Sequence, residues 1–223
     1  MPETPPPCSA QSVWAFNPDQ LLPGDILLEL GQTLFSPVVA ALDGGGQYSH
    51  ALIWAGGSDF IESVPPAGSR AIGYPRLLVF QPNRWLLLRM IGDQDTARRA
   101  AEQARNLVFM PYSYRGAAAS KIGMFGPADH ATIFCSQLVA EAYSRCGVSL
   151  ISGIPSSKIT PNMLRYSPLL TELIAPLVKV SVDNDELEGI IKLYKDRDKA
   201  YKLSQMANEQ RISQGLCILA SVN

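Results

Sequence analysis

The sequence predicts an α+β fold with strands first and helices after them, and three observations lead there. Up to Met90 the apolar residues fall in short runs bounded by Gly and Pro. From Asp95 onward they recur at helical spacing. With 47% hydrophobic and 17% charged residues, the 223-residue chain can bury a real core as one domain.

Met1 to Pro7, with Pro2, Pro5, Pro6 and Pro7, reads as an extended stretch, so residues 1–20 are assigned to a Pro-rich leader. Pro23-Gly24 is a turn opening the strand Asp25–Leu30. Ser36-Pro37 fits a helix start, with Pro at the first helical position, ending at the Asp43 to Gly46 break. Ser49–Ala55, Asp59–Ser63, Leu77–Phe80 and Trp85–Met90 are short enough, and sufficiently punctuated, to be strands of a central antiparallel sheet. The Pro/Gly-rich stretch between Ser63 and Leu77 reads as a loop.

The stretch from Asp95 is rich in helix formers and sets Ala97, Ala100, Ala101 and Ala104 on one face. After a loop with Pro111, Gly116, Gly123, Gly126 and Pro127, Ile133–Cys146 forms a second helix with Leu138, Val139, Ala142, Tyr143 and Cys146 as its apolar stripe. Gly147 stands where a helix C-terminus favours it. Ile154–Leu177 is Pro-punctuated, and Asp183 to about Gln214 is amphipathic through Leu187, Ile190, Ile191, Tyr194 and Tyr201. The expected organisation is a main domain over 21–177 and a mainly helical extension over 178–223.

Charge narrows the function. Nineteen basic and twenty acidic residues leave a net charge of -1, and no Lys/Arg cluster offers the patch that phosphate backbones require. Nucleic acid is not an expected partner. No window approaches the roughly 18 to 20 apolar residues of a membrane span, and the start lacks a basic stretch followed by an apolar segment. Synthesis in the cytoplasm without a signal peptide or a stable membrane anchor is the expectation. The four cysteines, Cys8, Cys135, Cys146 and Cys217, form no CxxC pair and no Cys/His cluster of zinc type, so reduced thiols and no metal site are expected.

Cys135 is the candidate nucleophile. A thiol with a pKa of about 8.5 becomes a thiolate near neutrality beside an imidazolium or a helix N-terminus. Phe134-Cys-Ser-Gln-Leu-Val139 places Cys135 in the first turn of its helix, with the apolar stripe beginning only at Leu138. Cys146, by contrast, lies within the stripe. The base must be one of two histidines, His50 on a predicted strand or His130 in a Gly/Pro-rich loop. A third group must orient the imidazole: Glu62, on the strand after that of His50, reaches it if both side chains share a face, and Asp59 and Asp25 compete.

Five segments taken in order, Leu22-Pro-Gly-Asp-Ile26, Tyr48-Ser-His-Ala-Leu-Ile53, Phe60-Ile-Glu-Ser63, Met110-Pro-Tyr-Ser-Tyr114 and Phe134-Cys-Ser-Gln-Leu-Val139, resemble the circularly permuted NlpC-like cysteine hydrolases, in particular their YiiX/YaeF-like branch. The order of histidine before cysteine marks the permuted form. The likeness covers roughly Leu21 to Leu170, with Thr160-Pro-Asn-Met-Leu and Ser167-Pro-Leu-Leu resembling the closing segment. It implies a papain-like α+β domain with the nucleophile at a helix N-terminus. It makes Cys135 the nucleophile, His50 the base and Glu62 the orienting residue, with the Cys135 N–H in an oxyanion hole. Tyr112, Tyr48 and Ser136 become candidate substrate-binding residues. Gln137 departs from the Glu often found after Cys-Ser, and residues from about Leu177 onward have no counterpart.

The reaction implied is acyl transfer through a thioester, which requires no metal or organic cofactor. The superfamily includes enzymes that cut cell-wall peptides, and its permuted members include acyltransferases and lipid hydrolases. Peptidoglycan stem peptides are the expected substrate, since no basic amphipathic surface helix would hold the chain at lipid. A cell-wall enzyme without a signal peptide suggests delivery as an antibacterial effector, for instance by type VI secretion, with an immunity protein and the secretion machinery as partners. The rival readings are a lipid or thioester acyl hydrolase with the same triad and an inactive binding module.

Overall fold

The structure is a computed structural model that describes residues 12–30, 48–65, 67–73, 78–113, 132–183 and 185–193, with isolated positions 195, 196, 199, 200 and 203. The expected helix after Ser36, and His130, Cys8, Cys217, Tyr194 and Tyr201, lie outside the described residues.

Nine strands and three α-helices are named here: β1 (Ser12–Phe16), β2 (Ile26–Glu29), β3 (His50–Gly56), β4 (Asp59–Val64), β5 (Gly68–Ile72), β6 (Leu78–Val79), β7 (Trp85–Met90), α1 (Gln94–Asn106), α2 (Cys135–Ser144), α3 (Pro161–Arg165), β8 (Leu170–Ile174) and β9 (Leu177–Ser181). Six strands form an antiparallel sheet in the order β5-β4-β3-β2-β7-β8, and three form a smaller one in the order β6-β1-β9. The architecture is therefore α+β with antiparallel sheets.

The strand β2 shows why the main sheet is central. Ile26, Leu27 and Leu28 are fully buried, although alternate residues of a strand face opposite ways. An unbroken apolar run is what a strand covered on both faces needs. Ile26 and Leu28 pack with Ala97, Ala100, Ala104, Leu138, Val139 and Ala142 from α1 and α2. Leu27 packs on the other side with Phe16, Trp54, Phe60 and Val79. Each such side chain contributes about 1.5–3 kcal/mol by leaving water.

The turn before β2 locks the helical layer to the sheet. Gly24 has φ +96, and a Cβ there would lie 2.4 Å from the Ala97 carbonyl oxygen, so only glycine fits. Its N–H donates to Trp54 O at 2.8 Å, and its carbonyl accepts from the Tyr143 hydroxyl at 2.8 Å. Burial, followed by the nearby Asp25 charge, pushes the Tyr143 phenol above its ordinary range, so it remains a donor. Asp93 caps α1 by accepting from Thr96 N–H at 2.9 Å.

Some segments differ from their sequence reading. Gly68–Ile72, read as part of a loop, is β5. Ser12–Phe16, placed before the main domain, is β1, and its neighbour β9 opens the segment expected to be mainly helical. Leu78–Val79 joins this smaller sheet and not the main one. The Pro-punctuated Ile154–Leu177 segment holds α3 and β8. Residues 185–193 are helical, and Leu187 and Ile190 pack with Val13 and Val182. Of the described members of that amphipathic stripe, Leu187 and Ile190 are packing, whereas Ile191 is exposed. Among the described residues, no helix is long and apolar enough to cross a membrane.

Candidate active site

Cys135 is the first residue of α2, so its side chain sits at the positive end of the helix dipole. The preceding residue, Phe134, has no side-chain oxygen with which to accept from the first turn, and it leaves that end without the usual cap. Gln137 reaches back instead, its Oε1 accepting from Phe134 N–H at 3.4 Å. Ile133 holds the approach to the helix. It bridges Tyr112 in parallel, donates to Pro111 O at 2.9 Å and accepts from Ser113 N–H at 3.1 Å. The Ser63 hydroxyl of β4 donates to the same Ile133 carbonyl at 2.8 Å.

His50 opens β3. The strand reaches it through Tyr48, whose N–H donates to Asn162 Oδ1 and whose carbonyl accepts from Asn162 Nδ2, both at 2.9 Å. This amide clasp ties the start of β3 to α3. Ser136 ties α2 to the segment just before α3, its hydroxyl donating to Ile159 O at 2.7 Å. The histidine strand and the cysteine helix thus share one anchor.

The structure brings Cys135, His50 and Glu62 into a row. His50 Nε2 lies 2.7 Å from Glu62 Oε2, and the Cys135 side chain is the ring's other neighbour. The Cys135 side chain is buried, and that of His50 is 14% exposed. Burial is the largest single influence on the ring and opposes its charge. Hydrogen bonds to Cys135 and Glu62, and their negative charges, outweigh it and push His50 up to about 10. A protonated ring here sits against the Glu62 carboxylate, and a positive charge beside a thiol favours its thiolate form.

Behind Glu62 stands Arg70, directly across the β4–β5 ladder. Its Nε and Nη2 donate to Glu62 Oε1 at 3.1 and 2.7 Å. Glu62 and Arg70 are both almost fully buried. One carboxylate oxygen is held by the guanidinium while the other faces the imidazole. This division fixes the rotation of the carboxylate and so the plane of the ring.

The competing carboxylates are committed elsewhere. Asp25 is buried, accepts from Leu22 N–H at 2.8 Å and pairs with Arg89 through contacts of 2.8 and 2.6 Å. Asp59 pairs with Arg105 at 3.3 Å on the surface. Of the candidate substrate-binding residues, Tyr112 and Tyr48 are half-buried, and the Arg165 guanidinium lies 5.8 Å from the Tyr48 ring centroid. Burial comes first among the causes that raise the Tyr48 phenol, with Arg165 opposing and Glu172 adding to the rise. Ser136 is fully buried, and its hydroxyl points inward to Ile159, so the structure does not place it on a substrate surface.

Sequence reading missed Arg70, Asn162 and Ser63. Arg70 lies in a stretch that reads as a loop, and only the β4–β5 register sets it opposite Glu62. Asn162 and Ser63 act through backbone groups distant in sequence, for which no local pattern exists.

No family model matches the chain, and no curated protein matches it. Among solved structures, the chain is similar to the crystal structure of metalloprotein yiiX from Escherichia coli O157:H7, DUF1105, with 14% identity and a TM-score of 0.45 over 74% of this chain and 98% of that one. Among the described residues here, no group of three or more His, Cys, Asp or Glu side chains is arranged to hold a metal ion.

Proposed function

We propose that this protein is a cysteine hydrolase of the permuted, NlpC-like papain type, with Cys135 as nucleophile, His50 as base and acid, and Glu62 as the orienting carboxylate. The observation that carries this reading is the row itself: a cysteine at a helix N-terminus beside a histidine whose Nε2 lies 2.7 Å from a buried glutamate. The proton of Sγ passes to His50, and the thiolate attacks an acyl carbon. An S–C bond forms, and the C–N bond breaks as His50 returns the proton to the leaving amine. Water then cleaves the thioester and restores the thiol.

The preferred substrate is a peptide or amide bond of peptidoglycan stem peptides, a preference over lipid that is supported by the sequence offering no basic amphipathic surface helix to hold the chain at lipid. Purified protein and its Cys135→Ala variant are incubated with sacculi, and the released fragments are analysed by mass spectrometry. New peptide termini made only by the unmutated protein support the reading. Cleavage of labelled phospholipid but not of sacculi transfers the same chemistry to lipid. The antibacterial effector reading fails if protein directed to the periplasm of a susceptible cell causes neither lysis nor a growth defect.

A further inference from the structure

We propose that Arg70 is a positioning residue of this site, and that its charge is what allows the buried row to hold a thiolate and an imidazolium together at neutral pH. The inference rests on the proposed roles of Cys135, His50 and Glu62, and it concerns a residue outside that triad.

Charge balance in a buried place gives Arg70 this role. When the Cys135 proton moves to His50, the S–H bond breaks and an N–H bond forms, and the pair becomes one anion and one cation. Glu62 adds a second anion and Arg70 a second cation, so the row of four sums to zero before and after the transfer. Without Arg70 the same row carries one uncompensated negative charge, and an unpaired buried charge is costly. Removing a nearby cation makes every proton loss in the site harder, including that of the thiol.

The geometry fits a dedicated partner. Arg70 lies opposite Glu62 in register, its side chain is only 4% exposed, and its Nε and Nη2 both donate to Glu62 Oε1. The strand carrying it is fixed independently. Ser69 N–H donates to Met110 O at 2.8 Å, Phe109 N–H donates to Ser69 O at 2.9 Å, and the Ser69 hydroxyl contacts Leu107 O. Of the other charged groups near the row, one acidic residue stands next to it and the rest pair elsewhere. Glu29 of β2 stands across from His50 in the β2–β3 ladder. Arg105 of α1 pairs with Asp59, Arg89 of β7 with Asp25, and Arg165 of α3 with Glu172 of β8. On α2, Glu141 pairs with Arg145.

The test is the rate of Cys135 alkylation by iodoacetamide against pH, read by peptide mass spectrometry, in folded wild-type, Arg70→Met, Arg70→Lys and Glu62→Gln proteins. Wild type is expected to react as a thiolate well below pH 8.5. Arg70→Met is expected to move that acid limb up by about one pH unit, a tenfold loss of thiolate at a fixed pH on the limb. Arg70→Lys keeps the charge and is expected to recover most of the shift. A merely structural arginine would lower the melting temperature without moving the limb. If Arg70→Met does not fold, Arg70→Gln removes the same charge while keeping a donor for Oε1. An unmoved limb in Arg70→Met, with a moved one in Glu62→Gln, overturns the role of Arg70 and leaves the triad standing. Equal shifts in the Met and Lys variants overturn the charge argument. A wild-type limb at the position of an ordinary thiol overturns the triad and the arginine role together.

Discussion

Two buried carboxylates in this protein have an arginine each, and they differ in what is left over. Asp25 uses both oxygens internally: Arg89 Nε takes Oδ1, while Arg89 Nη2 and Leu22 N–H share Oδ2. Glu62 accepts from Arg70 at Oε1 and meets His50 Nε2 with Oε2. Each carboxylate is about 1% exposed, so burial does not separate them. The pair at Asp25 closes a turn and ends there. The pair at Glu62 leaves one strong acceptor aimed at a titratable ring, and that open valence is what turns an ion pair into part of a site.

The largest effect is expected where the comparison is broken on the Glu62 side. Glu62→Gln should lower hydrolysis about a thousandfold, because the imidazole loses its orienting charge. It should also cost about 3–5 kcal/mol of stability, since the buried Arg70 guanidinium loses the carboxylate charge opposite it. Asp25→Asn should separate the two consequences. It is expected to cost about 3 kcal/mol, lowering the melting temperature by roughly 10 °C, yet to leave Cys135 alkylation within about twofold of wild type below that temperature. A loss of thiol reactivity in Asp25→Asn would break the distinction.

A pH series sharpens it. His50 is raised from 6.5 to about 10 in the folded protein, so the stability it contributes is fully present below pH 6.5 and is lost as the pH rises toward 10. The melting-temperature difference between wild type and His50→Gln should therefore be largest at mildly acidic pH and shrink through that window. Asp25→Asn should retain the wild-type slope there. The smallest effect belongs to Tyr143→Phe, which removes one hydroxyl bond to Gly24 O. About 1 kcal/mol, or a melting shift of about 2–4 °C, is expected, with unchanged alkylation.

These contrasts also mark what the sequence could show. Strand runs such as Ile26-Leu27-Leu28 and the alanine face of α1 declare themselves because burial selects residues locally. Cys135 was legible because small and polar residues precede the stripe that begins at Leu138. Arg70 was hidden because β5 follows Pro65-Pro66 and is built from Gly68, Ser69, Arg70 and Ala71, which have little strand propensity; its pairing with β4 holds it in place. The smaller sheet was hidden for another reason. Its neighbours β1 and β9 lie at opposite ends of the described chain, and only tertiary contact joins them. Between His50 and His130 as base, and among Glu62, Asp59 and Asp25 as orienting group, sequence offered types and positions but no distances. For Glu62, a 2.7 Å contact with His50 supplies what was missing.

The most direct test of the central claim compares two cysteines in one molecule. Wild-type protein is treated briefly with iodoacetamide at pH 6, and modification is mapped at Cys135, which is buried, and at Cys146, which is half-buried. Cys135 is expected to react at least about tenfold faster despite its lower exposure, and His50→Ala to abolish the difference. Equal rates, or faster reaction at Cys146, would mean that Cys135 is an ordinary buried thiol and would contradict the account.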